Sequence, residues 1–212
     1  MSGIHLALLG MSFGGGIPDI GAAYQGGFFA GQISTAGNGI ADYNLVIAPK
    51  SSGQNSSKQW KTSDTSTAGT SSVIDGPTNS ANMNDASHPA AQFCEGLTIG
   101  TFSDWYMPAK NELEVCYFNL KPTTTSNNTG SGTNTNAVPS RGSNYTAGTP
   151  AQTAATDFQT GNTEAFAAVL YWSSTELSAT NAWLQLFNTG FQNSTTGKTS
   201  GDYVSAVRRV AV

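Results

Sequence analysis

The stretch Pro108-Ala109-Lys110-Asn111-Glu112-Leu113-Glu114-Val115-Cys116-Tyr117-Phe118-Asn119-Leu120 decides the fold class of this chain. A proline suits the first turn of a helix, where the backbone N–H groups have no helical partner to lose. Leu113, Cys116, Tyr117 and Leu120 stand at i, i+3, i+4 and i+7, so one apolar stripe faces a core. A second, shorter helix is expected over residues 87–97, opened by Ser87-His88-Pro89 and closed by Gly96. Elsewhere the apolar residues come in short runs that read as strands: 43–48, 59–62, 171–176, 182–187 and 203–210. Turn residues separate the last three, which predicts a three-stranded antiparallel meander. Two helices beside looped strands make the chain α+β.

Ser, Thr, Asn and Gly account for 91 of the 212 residues, yet only 9 are Lys or Arg and 13 are Asp or Glu, for a net charge of -4. Disorder normally combines high net charge with few aromatics, and the 4 Trp, 7 Tyr and 10 Phe of this chain argue for a packed core instead. The basic footprint of a phosphate-tracking protein is missing, so no nucleic acid is expected as a partner. No run approaches the ~18 apolar residues of a membrane span, so no membrane insertion is expected. Residues 1–24 are Gly-rich and nearly uncharged, and are read as an N-terminal docking or oligomerisation arm ahead of a domain over 25–212. Cys94 and Cys116 each fall on the apolar side of their helix and are expected to be free and buried. The polar stretch 63–84 reads as surface loop, and 121–161 as a long ordered excursion pinned by Pro139, Arg141, Tyr145 and Pro150.

Catalytic arrangements find little support. Gly197-Lys198-Thr199 ends like a phosphate loop, but Gln192 stands where the motif needs its first glycine. Of the two histidines, His5 lies in the arm and His88 at a helix start, so a Ser-His-Asp arrangement would have to use His88. Neither the Cys nor the His spacing fits zinc, and Asp75, Asp85 and Asp202 lack the spacing of a calcium loop. No catalytic residue, metal or cofactor is expected. Binding chemistry is better represented: a sugar ring offers an apolar face to an aromatic and a rim of hydroxyls to short amides. Asn181, Trp183, Gln185, Phe191, Gln192 and Asn193 bring both kinds together and form the candidate ligand site. Because adjacent strand residues face opposite sides, one of Arg208 and Arg209 points inward, and a structural ion pair between Glu176 and Arg208 is expected.

In their order along the chain, residues 104–113 (DWYMPAKNEL), 171–176 (YWSSTE), Ala182-Trp183 with Phe187, and 203–209 (YVSAVRR) resemble the C-terminal domain of Legionella collagen-like adhesins, a family also found in bacteriophage tail and fibre proteins. The resemblance spans about residues 25–212 and implies a C-type-lectin-like fold, two helices with a looped antiparallel sheet and long polar loops. The phage members look closest, because residues 26–31 (GGFFAG), 47–50 (IAPK), 59–62 (QWKT) and 88–94 (HPAAQFC) accompany those motifs. What this implies is a non-enzymatic virion protein, of tail fibre, tip or collar. It would be a homotrimer docked to other virion proteins through its arm, contacting host surface glycans. A head or tail decoration protein without a receptor, and a bacterial cell-surface adhesin, are the alternatives. The Glu-Pro-Asn and Trp-Asn-Asp motifs of calcium-dependent sugar-binding lectins are absent, so calcium-bridged binding is not implied.

Overall fold

The computed structural model describes residues 16–212. In chain order these form β1 (Ala23–Tyr24), β2 (Gly27–Ile33), β3 (Tyr43–Ile47), α1 (Lys50–Gly53), β4 (Gln54–Gln59), α2 (Gly76–Ala81), α3 (Pro89–Glu95), α4 (Lys110–Leu120), β5 (Ala137–Val138), β6 (Leu170–Glu176), β7 (Ala182–Leu186), β8 (Gln192–Asn193), β9 (Gly201–Ser205) and β10 (Val207–Ala211). The architecture is α+β with most of the order in two sheets. The first runs β1-β2-β3-β10 with β5 added to β2, and the second runs β4-β9-β6-β7-β8.

The two long helices form where the sequence predicts them. Leu113, Cys116, Tyr117 and Leu120 are all buried, as the stripe requires. The stripe understates the burial of α4, because Asn111, Glu112 and Glu114 on its other faces are enclosed too. Cys94 and Cys116 are buried and unbridged, and they sit in different parts of the core. One part gathers Ile33, Leu45, Leu113, Tyr117, Phe166, Tyr171 and Phe187. The other gathers Trp60, Trp105, Met107, Trp172, Leu184 and Val204. Each of the three buried indoles gives its N–H to a carbonyl, Trp60 to Ser173, Trp105 to Phe102 and Trp172 to Lys58, as large amphipathic rings require in a core.

Several local expectations change. The strand expected over 59–62 lies earlier, at Gln54–Gln59, where a polar segment is held by its ladder with β9 rather than by apolar side chains. The stretch 63–84 contains α2, capped by Asp75 accepting from the Thr78 N–H. It also buries Thr70, Asn79, Ser80 and Met83. The meander is broken. β6 and β7 pair antiparallel, but residues 201–211 divide at Ala206, with β9 joining β6 in parallel and β10 crossing to pair with β3 in the other sheet. Ala206 is fully buried and bonded on both sides, its N–H to Gly53 O at 2.9 Å and its carbonyl to Ala48 N at 3.0 Å. Of the arm expected over 1–24, residues 1–15 lie outside the described residues. The Gly21 N–H bonds Phe29 O at 2.8 Å, and Ala23 and Tyr24 pair with β2.

Gly31 makes a bulge in β2, where the register against β3 shifts between Phe29 and Gly31. Its φ is +135°, and a Cβ there would stand 2.9 Å from Val115 Cγ1 and crowd Asn119 on α4. Glycine is needed both for the backbone and for the approach of the helix to the sheet. Gly31→Ala should destabilise the domain by about 1–3 kcal/mol from overpacking alone, read from the midpoint of chemical denaturation. An unchanged midpoint would mean that α4 is not seated on β2 this closely.

Candidate functional site

Strand β7 alternates. Ala182 and Leu184 enter the core, and Trp183 turns to Lys110 at the start of α4. Trp183 stays half-buried and, with Phe191 (41% exposed), Lys110, Gly130, Ser131, Thr133, Asn144, Gln192 and Ser194, lines a cleft of about 330 Å³. The Lys110 ammonium stands 4.3 Å from the Trp183 ring centroid, the geometry of a cation–π contact. The far wall belongs to the 121–161 excursion, which is tied to the hairpin by Gln192 N–H to Ser131 Oγ at 3.0 Å and by Asn128 N–H to Thr189 O at 2.8 Å.

Of the candidate ligand residues, Trp183, Phe191 and Gln192 come together in this cleft. Gln185 does not: it is 1% exposed and its Nε2 donates to Gly190 O at 2.7 Å, bracing the β7–β8 turn from beneath. Asn181 belongs to a separate turn, where its Oδ1 accepts from Thr180 Oγ1 at 2.5 Å and its backbone bridges to Gly197. Asn193 spends its Oδ1 on the N–H and hydroxyl of Thr195. Lys110, Ser131, Thr133, Asn144 and Ser194 have no counterpart in the sequence reading. Lys110 reads there only as part of the first turn of a helix, and the others lie in polar stretches where one residue reads like the next.

The excursion is ordered by buried polar groups. Glu114 on α4 is fully enclosed. Its carboxylate accepts from Tyr145 Oη at 2.7 Å, from Asn134 Nδ2 at 2.5 Å and from the Arg141 guanidinium. Arg141 also stacks on Phe118, its Cζ 3.9 Å from the ring centroid. Further along, Lys121 is 2% exposed, and its ammonium is caged by Thr125 O, Asn127 Oδ1 and Pro150 O at 2.5, 2.7 and 3.2 Å. Burial pushes that ammonium below its ordinary range. Tyr145 and Arg141 thus pin the loop as expected, and Lys121, outside the expected set, serves as an internal cation for its carbonyls.

The expected pair of Glu176 with Arg208 is not formed. Glu176 Oε1 binds Lys198 Nζ at 2.7 Å, and its Oε2 accepts from the Thr67 N–H and the Thr70 hydroxyl, each at 2.9 Å. Burial would raise this carboxyl, but Lys198 and those donors outweigh it and hold it below its ordinary value. The reason is the crossing at Ala206, which carries residue 208 into the sheet that does not contain β6. Both arginines are held internally: Arg208 forks onto Asp104 at 2.7 and 2.8 Å, and Arg209 reaches buried Glu112 at 2.8 Å.

His88 does enter a hydroxyl–imidazole–carboxylate chain. Thr67 Oγ1 lies 2.8 Å from His88 Nε2, and His88 Nδ1 lies 2.9 Å from Asp85 Oδ1. With the Nδ1 proton given to Asp85, Nε2 accepts from the Thr67 hydroxyl. Hydrogen bonds from Ser87 and then His88 hold the Asp85 carboxyl down at about 2. The order matches a nucleophile, base and orienting acid, but Lys61 Nζ also donates to Thr67 Oγ1 at 2.9 Å, and the imidazole packs edge-on against Trp60. The cleft at Trp183 does not include Thr67, and the visible effect of the chain is to lock the 63–70 segment onto the start of α3. Among the described residues no three His, Cys, Asp or Glu gather as a metal site, and no helix is long and apolar enough to cross a membrane.

No family model matches the chain, and no curated protein matches it. A crystal structure of a fimbrial protein from Bacteroides ovatus is similar to it over 77% of this chain and 35% of that one, at 16% identity and a TM-score of 0.44. The chain therefore spans about a third of the length of that fimbrial protein.

Proposed function

We propose that this chain is a C-type-lectin-like binding module of a bacteriophage particle, which holds a host surface glycan in the cleft at Trp183. The observation that carries the reading is the make-up of that cleft: two aromatic side chains, Trp183 and Phe191, rimmed by the hydroxyls and amides of Ser131, Thr133, Asn144, Gln192 and Ser194. Such a surface stacks on the apolar face of a sugar and bonds its hydroxyls without calcium. The sheet that joins the two ends of the described chain, β1-β2-β3-β10, and the long looped excursion support a lectin-like frame. The particle, the trimer and attachment through the N-terminal arm rest on the sequence resemblance to phage fibre proteins.

The test is a multivalent display of the protein on a glycan array and on host cells. The wild type should bind a subset of glycans, and Trp183→Ala should weaken that binding at least tenfold, about 1.4 kcal/mol, measured below the variant's own denaturation midpoint because the ring is partly buried and its removal also costs stability. Absence of binding by the displayed wild type would instead favour a decoration protein without a receptor.

A further inference from the structure

The geometry points to an anionic ligand for the cleft at Trp183, with Lys110 as the residue that receives its carboxylate or phosphate; this rests on the glycan-binding reading above. Charge is scarce in this chain, and all nine cationic side chains lie within the described residues. Seven have their charged groups bonded to acceptors of the protein itself. Arg141, Arg208, Arg209 and Lys198 pair with carboxylates. Lys50, Lys61 and Lys121 are held by oxygens of Ala165, of Thr65, Ser66 and Thr67, and of Thr125, Asn127 and Pro150.

Lys58 and Lys110 are the two whose ammonium groups meet no acceptor among the described residues. Lys58 lies on β4, 5.9 Å from the Phe93 ring centroid and away from any cleft described above. Lys110 opens α4 inside the aromatic cleft, and no Asp or Glu lines that cleft. Glu114, one turn along the helix, is already engaged by Arg141, Asn134 and Tyr145, and Glu112 by Arg209 and Tyr106.

Half-burial makes this arrangement informative. Burial pushes the Lys110 ammonium below its ordinary range, and Glu114 only partly offsets that, so the group has lost water without gaining an acceptor. The Trp183 face satisfies one side of it. The side open to the cleft is left for an incoming anion, whose charge-assisted hydrogen bond would be stronger than a neutral one. The hydroxyl and amide rim then orients the rest of the ring, so that Trp183 and Phe191 supply affinity and Lys110 supplies selection for charge. The overall charge of -4 opposes any acidic polymer at long range, so an acidic preference has to come from a local site.

The experiment measures binding of the displayed protein to three polymers: polygalacturonate for the carboxylate, polyglycerol phosphate for the phosphodiester, and carboxyl-reduced polygalacturonate as the neutral counterpart. The wild type should hold at least one acidic polymer about tenfold or more above the neutral one, the size of one charge-assisted bond, and the favoured acid identifies the group. Lys110→Gln should erase that preference while keeping the residual neutral binding, Lys110→Arg should retain it, and Lys58→Gln should leave it intact. Equal binding to all three polymers, an unaltered preference in Lys110→Gln, or an equal loss in Lys58→Gln overturns the assignment and leaves glycan binding standing. Failure to bind any of the polymers or any arrayed glycan overturns both.

Discussion

Replacing Arg209 with methionine should destabilise the domain by about 3–5 kcal/mol at neutral pH, the cost of leaving a buried charge without its partner. Glu112 is fully enclosed, and its carboxylate accepts from Arg209 Nε at 2.8 Å, Tyr106 Oη at 2.5 Å and the Ala109 N–H at 2.8 Å. Burial already pushes this carboxyl up, with Arg209 the main opposing influence, and removing the guanidinium lets it rise further. A carboxyl whose folded pKa lies above its unfolded value favours the folded state when protonated, so the variant should regain stability as pH falls and lose it as pH rises through the folded value. Denaturant titrations at pH 5 and pH 8 should show the gap to the wild type narrowing at pH 5. A deficit below about 1 kcal/mol, or one independent of pH, would show that Glu112 is not sealed beneath β10 as described.

Glu114→Ala should have a comparable cost, again about 3–5 kcal/mol, but its effect should be local as well as global. The carboxylate joins α4 to Asn134, Arg141 and Tyr145, and without it the Tyr145 hydroxyl and the Arg141 guanidinium lose their acceptor while Asn134 Nδ2 keeps only its bond to Asn111 O. Arg141 then has only its stack on Phe118. Residues 128–149 should exchange their amide protons much faster, while β2, β3 and β10 remain protected. Because Ser131, Thr133 and Asn144 form the far wall of the Trp183 cleft, ligand binding should fall at least as far as in Trp183→Ala. Unchanged protection of 128–149 would mean that the excursion is held by the Lys121 cage and its backbone bonds alone.

These two carboxylates sit on one helix that the sequence reads correctly, and neither could be recognised in it. The periodicity of Leu113, Cys116, Tyr117 and Leu120 marks the face of α4 that meets the core. Glu112 and Glu114 fall off that stripe and read as solvent-facing charges. They are buried because Arg209 arrives from the last strand and Arg141 from the excursion, contacts made across 97 and 27 residues. The pairing of Glu176 with Arg208 failed for the same reason. A partner chosen by proximity to a strand pattern cannot anticipate that the strand divides at Ala206 and changes sheets.

The polar excursion is the second case. Asn127, Asn134 and Asn136 are buried, each bonding two or more groups of the surrounding chain. They do with hydrogen bonds what a richer chain would do with apolar packing. In the sequence they cannot be told from half-buried Asn128 or exposed Asn144, because an amide carries no periodic signature. The cleft inherits this blindness: its aromatic half, Trp183 and Phe191, was legible, and its polar wall was not.

The sequence by itself determined the α+β class, the positions of α3 and α4, the burial of both cysteines, and the region where aromatics and amides meet. Those follow from spacing along a few turns or one strand, where neighbours in the chain are neighbours in space. Only the tertiary structure decided which carboxylate takes which cation, that β9 and β10 belong to different sheets, which asparagines are buried, and that Lys110 faces Trp183 with no acceptor for its ammonium among the described residues. Each of these depends on groups brought together from distant parts of the chain, and the free energy that selects among them is that of burying charge and amide with satisfied partners, which no local pattern encodes.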